Sequence, residues 1–188
     1  QMTKMGFRTD PRCRASLPGL FAAGLAQAGC ATHFAGFHIG MCNGSGWIAG
    51  RSAAESLSDT PEPRPEAGEM VLCRERIREK FDPSATAGSD EILKALQRLM
   101  FRYDITMLKE ASRLTRSRGA LDVLREQARA LRAPDAHEWV RLHETECMLE
   151  AADLILDASQ VRTETRMSHI REDFPVRDDA NWLRQVVL

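Results

Sequence analysis

The 188-residue chain has a single tyrosine, no C-x-x-C pair and no excess of either charge, and each shortage removes a class of protein. With 26 basic residues against 27 acidic ones and a formal net charge of -1, it carries no electrostatic footprint of a nucleic-acid binder. The most apolar run, Leu17 to Met41, is broken by Gln27, two histidines and several glycines, so it falls short of a membrane span. Five cysteines, Cys13, Cys30, Cys42, Cys73 and Cys147, make an odd count, and no secretory signal is read ahead of them. Reduced thiols in the cytoplasm are therefore expected. The Gly-x-Gly-x-x-Gly phosphate loop of a dinucleotide fold does not occur.

What is present divides at a polar, proline-rich stretch, Ser58 to Gly68, which cannot continue a helix and reads as a linker. We expect residues 1–57 to form one part, 58–69 the linker and 70–188 a helical domain. The first part holds most of the glycines. There, Gly19 to Gly24 reads as a buried strand ending on glycine, a Gly-rich loop follows, and a helix is expected from Gly44 or Ser45 onward. The second part is helical in pattern, with expected helices over Glu69 to Phe81, burying Val71, Ile77 and Phe81, and over Ser89 to about Tyr103. A long apolar repeat then runs from Met107 through Leu108, Leu114, Leu121 and Leu124 to Leu131, with Gly119 as a weak point midway. Asp135 followed by Glu138 is a capping-box signature opening one more helix through Trp139, Leu142, Leu149 and Leu156. The expected fold is mainly α: a strand, Gly-rich loop and helix, then an antiparallel bundle of three long helices.

The densest chemistry lies between Cys30 and Ser45. Cys30, His33, His38 and Cys42 form a C-x2-H-x4-H-x3-C cluster whose ligand types suit zinc, although the spacing is only loosely that of a closed zinc site. The reading we favour assigns no metal and treats the stretch as a cofactor loop. Its glycines let backbone approach a planar ring, and a helix N-terminus at Gly44-Ser45-Gly46 stabilises negative charge. A plain strand, turn and helix without ligand is the remaining alternative.

The tail, Arg162 to Trp182, interleaves both charges with His169, Phe174 and Trp182, the pattern of a polar network held against another surface.

Two motifs resemble one family. Ser16-Leu17-Pro18-Gly19-Leu20-Phe21-Ala22-Ala23-Gly24, followed by Gly40-Met41-Cys42-Asn43-Gly44-Ser45 and Gly50-Arg51, is similar to the C-terminal FAD-binding segment of succinate dehydrogenase and fumarate reductase flavoproteins. Arg162-Thr163-Glu164-Thr165-Arg166, His169-Ile170-Arg171-Glu172-Asp173-Phe174-Pro175 and Asp178-Asp179-Ala180-Asn181-Trp182 resemble the same family's tail. Adenylylsulfate reductase flavoproteins are a cousin by the same resemblance.

The resemblance implies an FAD-dependent oxidoreductase that transfers hydride at flavin N5, with Gly24, Leu25, Asn43, Gly44 and Ser45 by the cofactor. It also implies a partner, either a separate flavin-binding chain or an N-terminal region preceding Gln1, together with an electron-transfer partner. The family's acidic residue after Ala-Ala-Gly is Leu25 here, and its substrate-binding arginine is replaced in the neighbourhood of Gly36-Phe37-His38. Succinate and fumarate are thus disfavoured, and His38, or less so His33, is the candidate contact for a small anionic substrate. Arg162, Arg166, His169 and Asp173 read as a docking clasp between bundle and flavin domain. The competing reading is a helical interaction subunit that keeps the docking surface without redox chemistry.

Overall fold

The computed structural model describes residues 6–28, 37–59 and 66–188, without the side chains of residues 37 and 38. It divides into two units, Gln1–Arg64 and Pro65–Leu188.

In the first unit the expected strand over Gly19 to Gly24 is replaced by isolated bridges, Arg14 with Phe21 and Phe7 with Gln27. The chain then turns into a 3-10 turn, Gly24–Ala26. Gly24 has φ +59°, a left-handed conformation that cannot extend a strand. A second correction concerns the Gly-rich loop. Helix α1 spans Phe37–Ser56, so the stretch expected to be loop up to Gly44 is already helical. Ser45, Ala49 and Ser52 recur at helical spacing and are buried, and that single inward stripe holds the segment helical despite its glycines. Gly44-Ser45-Gly46 is therefore helix interior, where backbone N–H groups already have partners one turn back.

The second unit is mainly helical. Helix α2 (Ala67–Glu79) has no buried residue, contrary to the expected burial of Val71 and Ile77, which are 52% and 42% exposed. Phe81, just beyond α2, stays 37% exposed and stacks near Trp139 with ring centroids 6.3 Å apart. Helix α3 (Ser89–Met100) stops before Tyr103, and a short helix α4 (Tyr103–Thr106) follows. The long repeat is cut as well. Leu108 belongs to strand β1 (Leu108–Lys109), and helix α5 runs over Ala111–Ala130, passing Gly119 without a break. Helix α6 covers Ala136–Val161. Strand β2 (Ile170–Arg171) pairs in parallel with β1, Leu108 opposite Ile170 and Lys109 opposite Arg171, and α7 (Asp179–Trp182) ends the tail.

One core unites the second unit: Ile92, Leu96 and Met100 of α3, Ile105 of α4, Leu114, Leu121 and Ala128 of α5, and Leu149, Ala152 and Leu156 of α6. The α3 and α6 sets recur at three or four residues and the α5 set at seven, each the spacing of one helix face. Charges on the α5–α6 seam set their sense. Arg118 pairs with Asp153 and Asp157, while Arg125, two turns further along α5, pairs with Glu150 and Asp153. Advancing along α5 thus means retreating along α6, the antiparallel arrangement its short connection imposes.

The capping box forms by half. Asp135 Oδ1 accepts from Glu138 N–H at 2.8 Å, but the Glu138 carboxylate turns to the N-terminus of α3 and accepts from the backbone N–H of Gly88 and Ser89, both at 3.0 Å. A carboxylate there satisfies orphan donors and faces the positive end of the α3 dipole.

Candidate functional site

The first unit brings two of the expected cofactor residues together. Gly24 N–H donates to Ser45 Oγ at 2.8 Å, and the Ser45 hydroxyl donates to the Met41 carbonyl at 2.5 Å. Gly24 and Ser45 are both buried, so these atoms latch the 3-10 turn onto α1 and face inward. The fit is close: a Cβ at Gly24 would stand 3.0 Å from Cys42 Sγ. Cys13 lies under the same latch, its thiol 3.6 Å from the Ser45 carbonyl, and burial pushes that thiol's pKa up, with Asp10 adding to the effect.

Leu25, Asn43 and Gly44 are exposed instead. Leu25 is 62% exposed, and nothing lies within 4 Å of the position a Gly44 Cβ would take. The helix backbone is thereby open to a flat group at that point. His38 falls in the first turn of α1, with its side chain outside the description. Cys30 and His33 lie outside the described residues. Among the described residues no cluster of three or more His, Cys, Asp or Glu is arranged for a metal ion.

The tail builds the most charged interior of the second unit. Glu164 is fully buried, and its carboxylate accepts from Arg166 Nε at 2.6 Å and Nη2 at 3.0 Å, Arg162 Nη1 at 2.5 Å and Asp178 N–H at 2.9 Å. These donors, Arg166 foremost, hold its pKa down at about 2. Arg166 also reaches Asp179 at 2.6 Å, and its two carboxylate partners raise its pKa further. Arg162 continues to the Trp182 and Arg184 carbonyls and lies over the Trp182 ring. Arg171, 1% exposed, forms a bidentate pair with Asp173 at 2.8 and 2.7 Å. Its remaining donors go to the carbonyls of Ser159, Gln160 and Arg162 at the end of α6. Asp173 is held at about 2, chiefly by Arg171.

His169 Nε2 sits 3.0 Å from the Arg162 carbonyl, the geometry of a ring N–H donor. Burial lowers its pKa to about 4, and the Lys109, Arg171 and Arg162 charges push the same way. The clasp expected from Arg162, Arg166, His169 and Asp173 thus closes within the helical unit. Two further members escaped the sequence reading. Glu164 is the hub, legible as an acid flanked at two residues on each side by arginine. Lys109 is 6% exposed, donates from Nζ to the Thr106 carbonyl at 2.7 Å and has its pKa lowered by burial; its place inside an apolar repeat concealed it.

No helix among the described residues is long and apolar enough to cross a membrane. Residues 93–188 match the family described as fumarate reductase flavoprotein C-term. An uncharacterized FAD-dependent oxidoreductase of Methanocaldococcus jannaschii is 23% identical over 186 residues, covering 97% of this chain and 34% of that protein. Among solved structures, a quinol-fumarate reductase with menaquinol molecules aligns with TM-score 0.84 at 20% identity, over 96% of this chain and 33% of its own. The Mycobacterium smegmatis Sdh1 complex in the apo form also gives 0.84, at 24% identity over 94% and 31%. The chain spans about a third of the length of these relatives. With the family match covering its core helices and its charged tail, the chain belongs to the fumarate reductase flavoprotein C-terminal family.

Proposed function

We propose that the chain acts as the carboxy-terminal part of an FAD-dependent oxidoreductase of the fumarate reductase and succinate dehydrogenase type, working with a flavin-binding region in the same or another chain. The observation that carries this reading is a likeness extending over nearly the whole chain, 96% of it at TM-score 0.84, together with the family match. Bound FAD would supply hydride transfer at its N5 atom.

The residues present suit the edge of a flat ring. Gly44 leaves the α1 backbone accessible, the neighbouring Asn43 is exposed and carries side-chain amide donors, and Leu25 is an exposed apolar side chain. Gly24 and Ser45 support these positions from behind rather than donating themselves, since their polar atoms are bonded to each other. Backbone donors at residues 43–45 are spent in the helix, so the Asn43 side chain is the donor we assign to the cofactor. To His38, in the first turn of α1, we assign the contact with a small anionic substrate, aided by the positive end of the helix.

The test is to produce the chain with a flavin-binding region and read flavin absorbance in the purified complex. A yellow complex is expected, and Asn43→Ala should release flavin more readily while His38→Ala raises KM. A colourless complex formed in saturating FAD would refute the oxidoreductase reading and favour a purely structural subunit. A flavin-loaded complex indifferent to Asn43→Ala would refute only the site.

A further inference from the structure

One pair of ligating side chains in the helical unit has no part in the proposed chemistry. His143 and Cys147 stand one turn apart on α6, both exposed, with Cys147 Sγ 4.0 Å from His143 Nε2. Helix positions four residues apart share a face, so the backbone itself brings the two donors together. That backbone is fixed from beneath, because Leu142, Thr145 and Leu149 on the opposite face are buried.

The imidazole is held as well. Its ring stacks on Trp139 with centroids 5.5 Å apart and planes 13° from parallel, and Trp139 stacks in turn on Phe81. Phe81 is tethered by its bridge to Ala133 and by the neighbouring Lys80, whose Nζ donates to Glu146 of α6 at 2.8 Å. An exposed histidine ordinarily spreads over several rotamers, and this stack removes most of that freedom while Nε2 faces the sulfur.

The separation of the two donors selects the kind of ion. With metal–sulfur about 2.3 Å and metal–nitrogen about 2.0 Å, a tetrahedral site sets sulfur and nitrogen about 3.5 Å apart, whereas the observed 4.0 Å opens the angle at the metal to about 140°. So wide an angle belongs to an ion that takes two strong ligands rather than four. Among the described residues no third His, Cys, Asp or Glu joins the pair in a metal-binding cluster. A thiolate and an imidazole with no further ligand suit a soft monovalent ion, copper(I), and leave zinc short of its usual four.

We propose that His143 and Cys147 form a two-coordinate binding site for copper(I). Binding exchanges the thiol proton for the ion: the S–H bond breaks, a sulfur–copper bond forms, the proton passes to solvent and no electron is transferred. The site lies wholly on α6, so it is independent of the flavin assignment.

The test titrates the reduced chain, free of oxygen, with copper(I) buffered by bicinchoninate, then labels with N-ethylmaleimide and reads each cysteine by peptide mass spectrometry. Buffering fixes the free copper(I), so every cysteine reports on its own site. Cys73, exposed on α2, a helix without histidine, is the internal reference. Cys147 should be protected at about tenfold lower free copper(I) than Cys73, and the His143 Nε2 nitrogen resonance should shift over the same range. His143→Ala should abolish that advantage with the helical circular dichroism unchanged, and Zn²⁺ at equal free concentration should leave Cys147 unprotected. Protection no earlier than at Cys73, an advantage that survives His143→Ala, a nitrogen resonance that does not move, or equal protection by Zn²⁺ would each overturn the proposal.

Discussion

Replacing Glu164 by glutamine tests whether the tail is held by a buried carboxylate. The substitution keeps the side chain's shape and one acceptor oxygen but removes the charge that two guanidinium groups and one backbone N–H share. A carboxyl held at about 2 in the folded protein against an ordinary value of 4.5 differs by about 2.5 units, which corresponds to about 3 kcal/mol of folding stability. The same size is expected when one partner of a buried ionic cluster is lost and the others stay behind uncompensated. The unfolded chain takes up this proton first as acid is added. Stability from Glu164 is therefore complete above about pH 4.5, falls as the pH drops, and is gone below about pH 2. Urea unfolding followed by Trp182 fluorescence and circular dichroism at pH 7 should show the wild type more stable than Glu164→Gln by about 3 kcal/mol, with the gap narrowing through pH 4.5 to 2. A gap below about 0.5 kcal/mol at pH 7, or one constant with pH, would refute the assignment of Glu164 as the hub.

Met167 holds φ +56° in the turn between Arg166 and His169 and is exposed, so Met167→Gly should raise stability by about 0.5 kcal/mol, relief of strain exceeding the entropy glycine adds to the unfolded chain. Ser45→Ala removes the acceptor of the buried Gly24 N–H and should destabilise the first unit by about 1–3 kcal/mol, read as faster hydrogen exchange at Gly24. Gly24→Ala meets both the positive φ and Cys42 Sγ, and should cost at least about 1 kcal/mol in thermal unfolding. His169 should stay neutral in NMR titration until about pH 4; because the unfolded imidazole protonates near 6.5, its contribution to stability is present above 6.5 and lost as the pH falls to 4. Titration near 6.5 in the folded protein would refute its burial.

Several of these features can be traced back to local patterns in the chain. The helices of the second unit were legible because their apolar residues repeat at three and four, and the start of α6 because Asp135 stands three residues before Glu138. The tail was legible as a charged network from its composition alone. Glycine misled the reading of the first unit: Gly40 reads as loop and Gly44 to Gly46 as the start of a helix, yet Ser45, Ala49 and Ser52 bury one face of a helix that begins at Phe37 and runs through all of them. The loop expected there became helix, and Gly24 and Ser45 are hydrogen-bonded to each other across the turn that precedes it.

The sequence by itself determined the family and the helical periodicity, since both reside in residue types at short, fixed spacings. Tertiary structure alone decided where each charge went. Glu138 left its own cap for the N-terminus of α3, Arg162 and Arg166 closed on Glu164 within the unit, and Lys109 was drawn inside by a two-residue parallel pairing with β2. A charged side chain is long, and several partners lie within its reach. Which of them it takes depends on the burial that packing imposes on all of them together, and no local pattern in the chain records that.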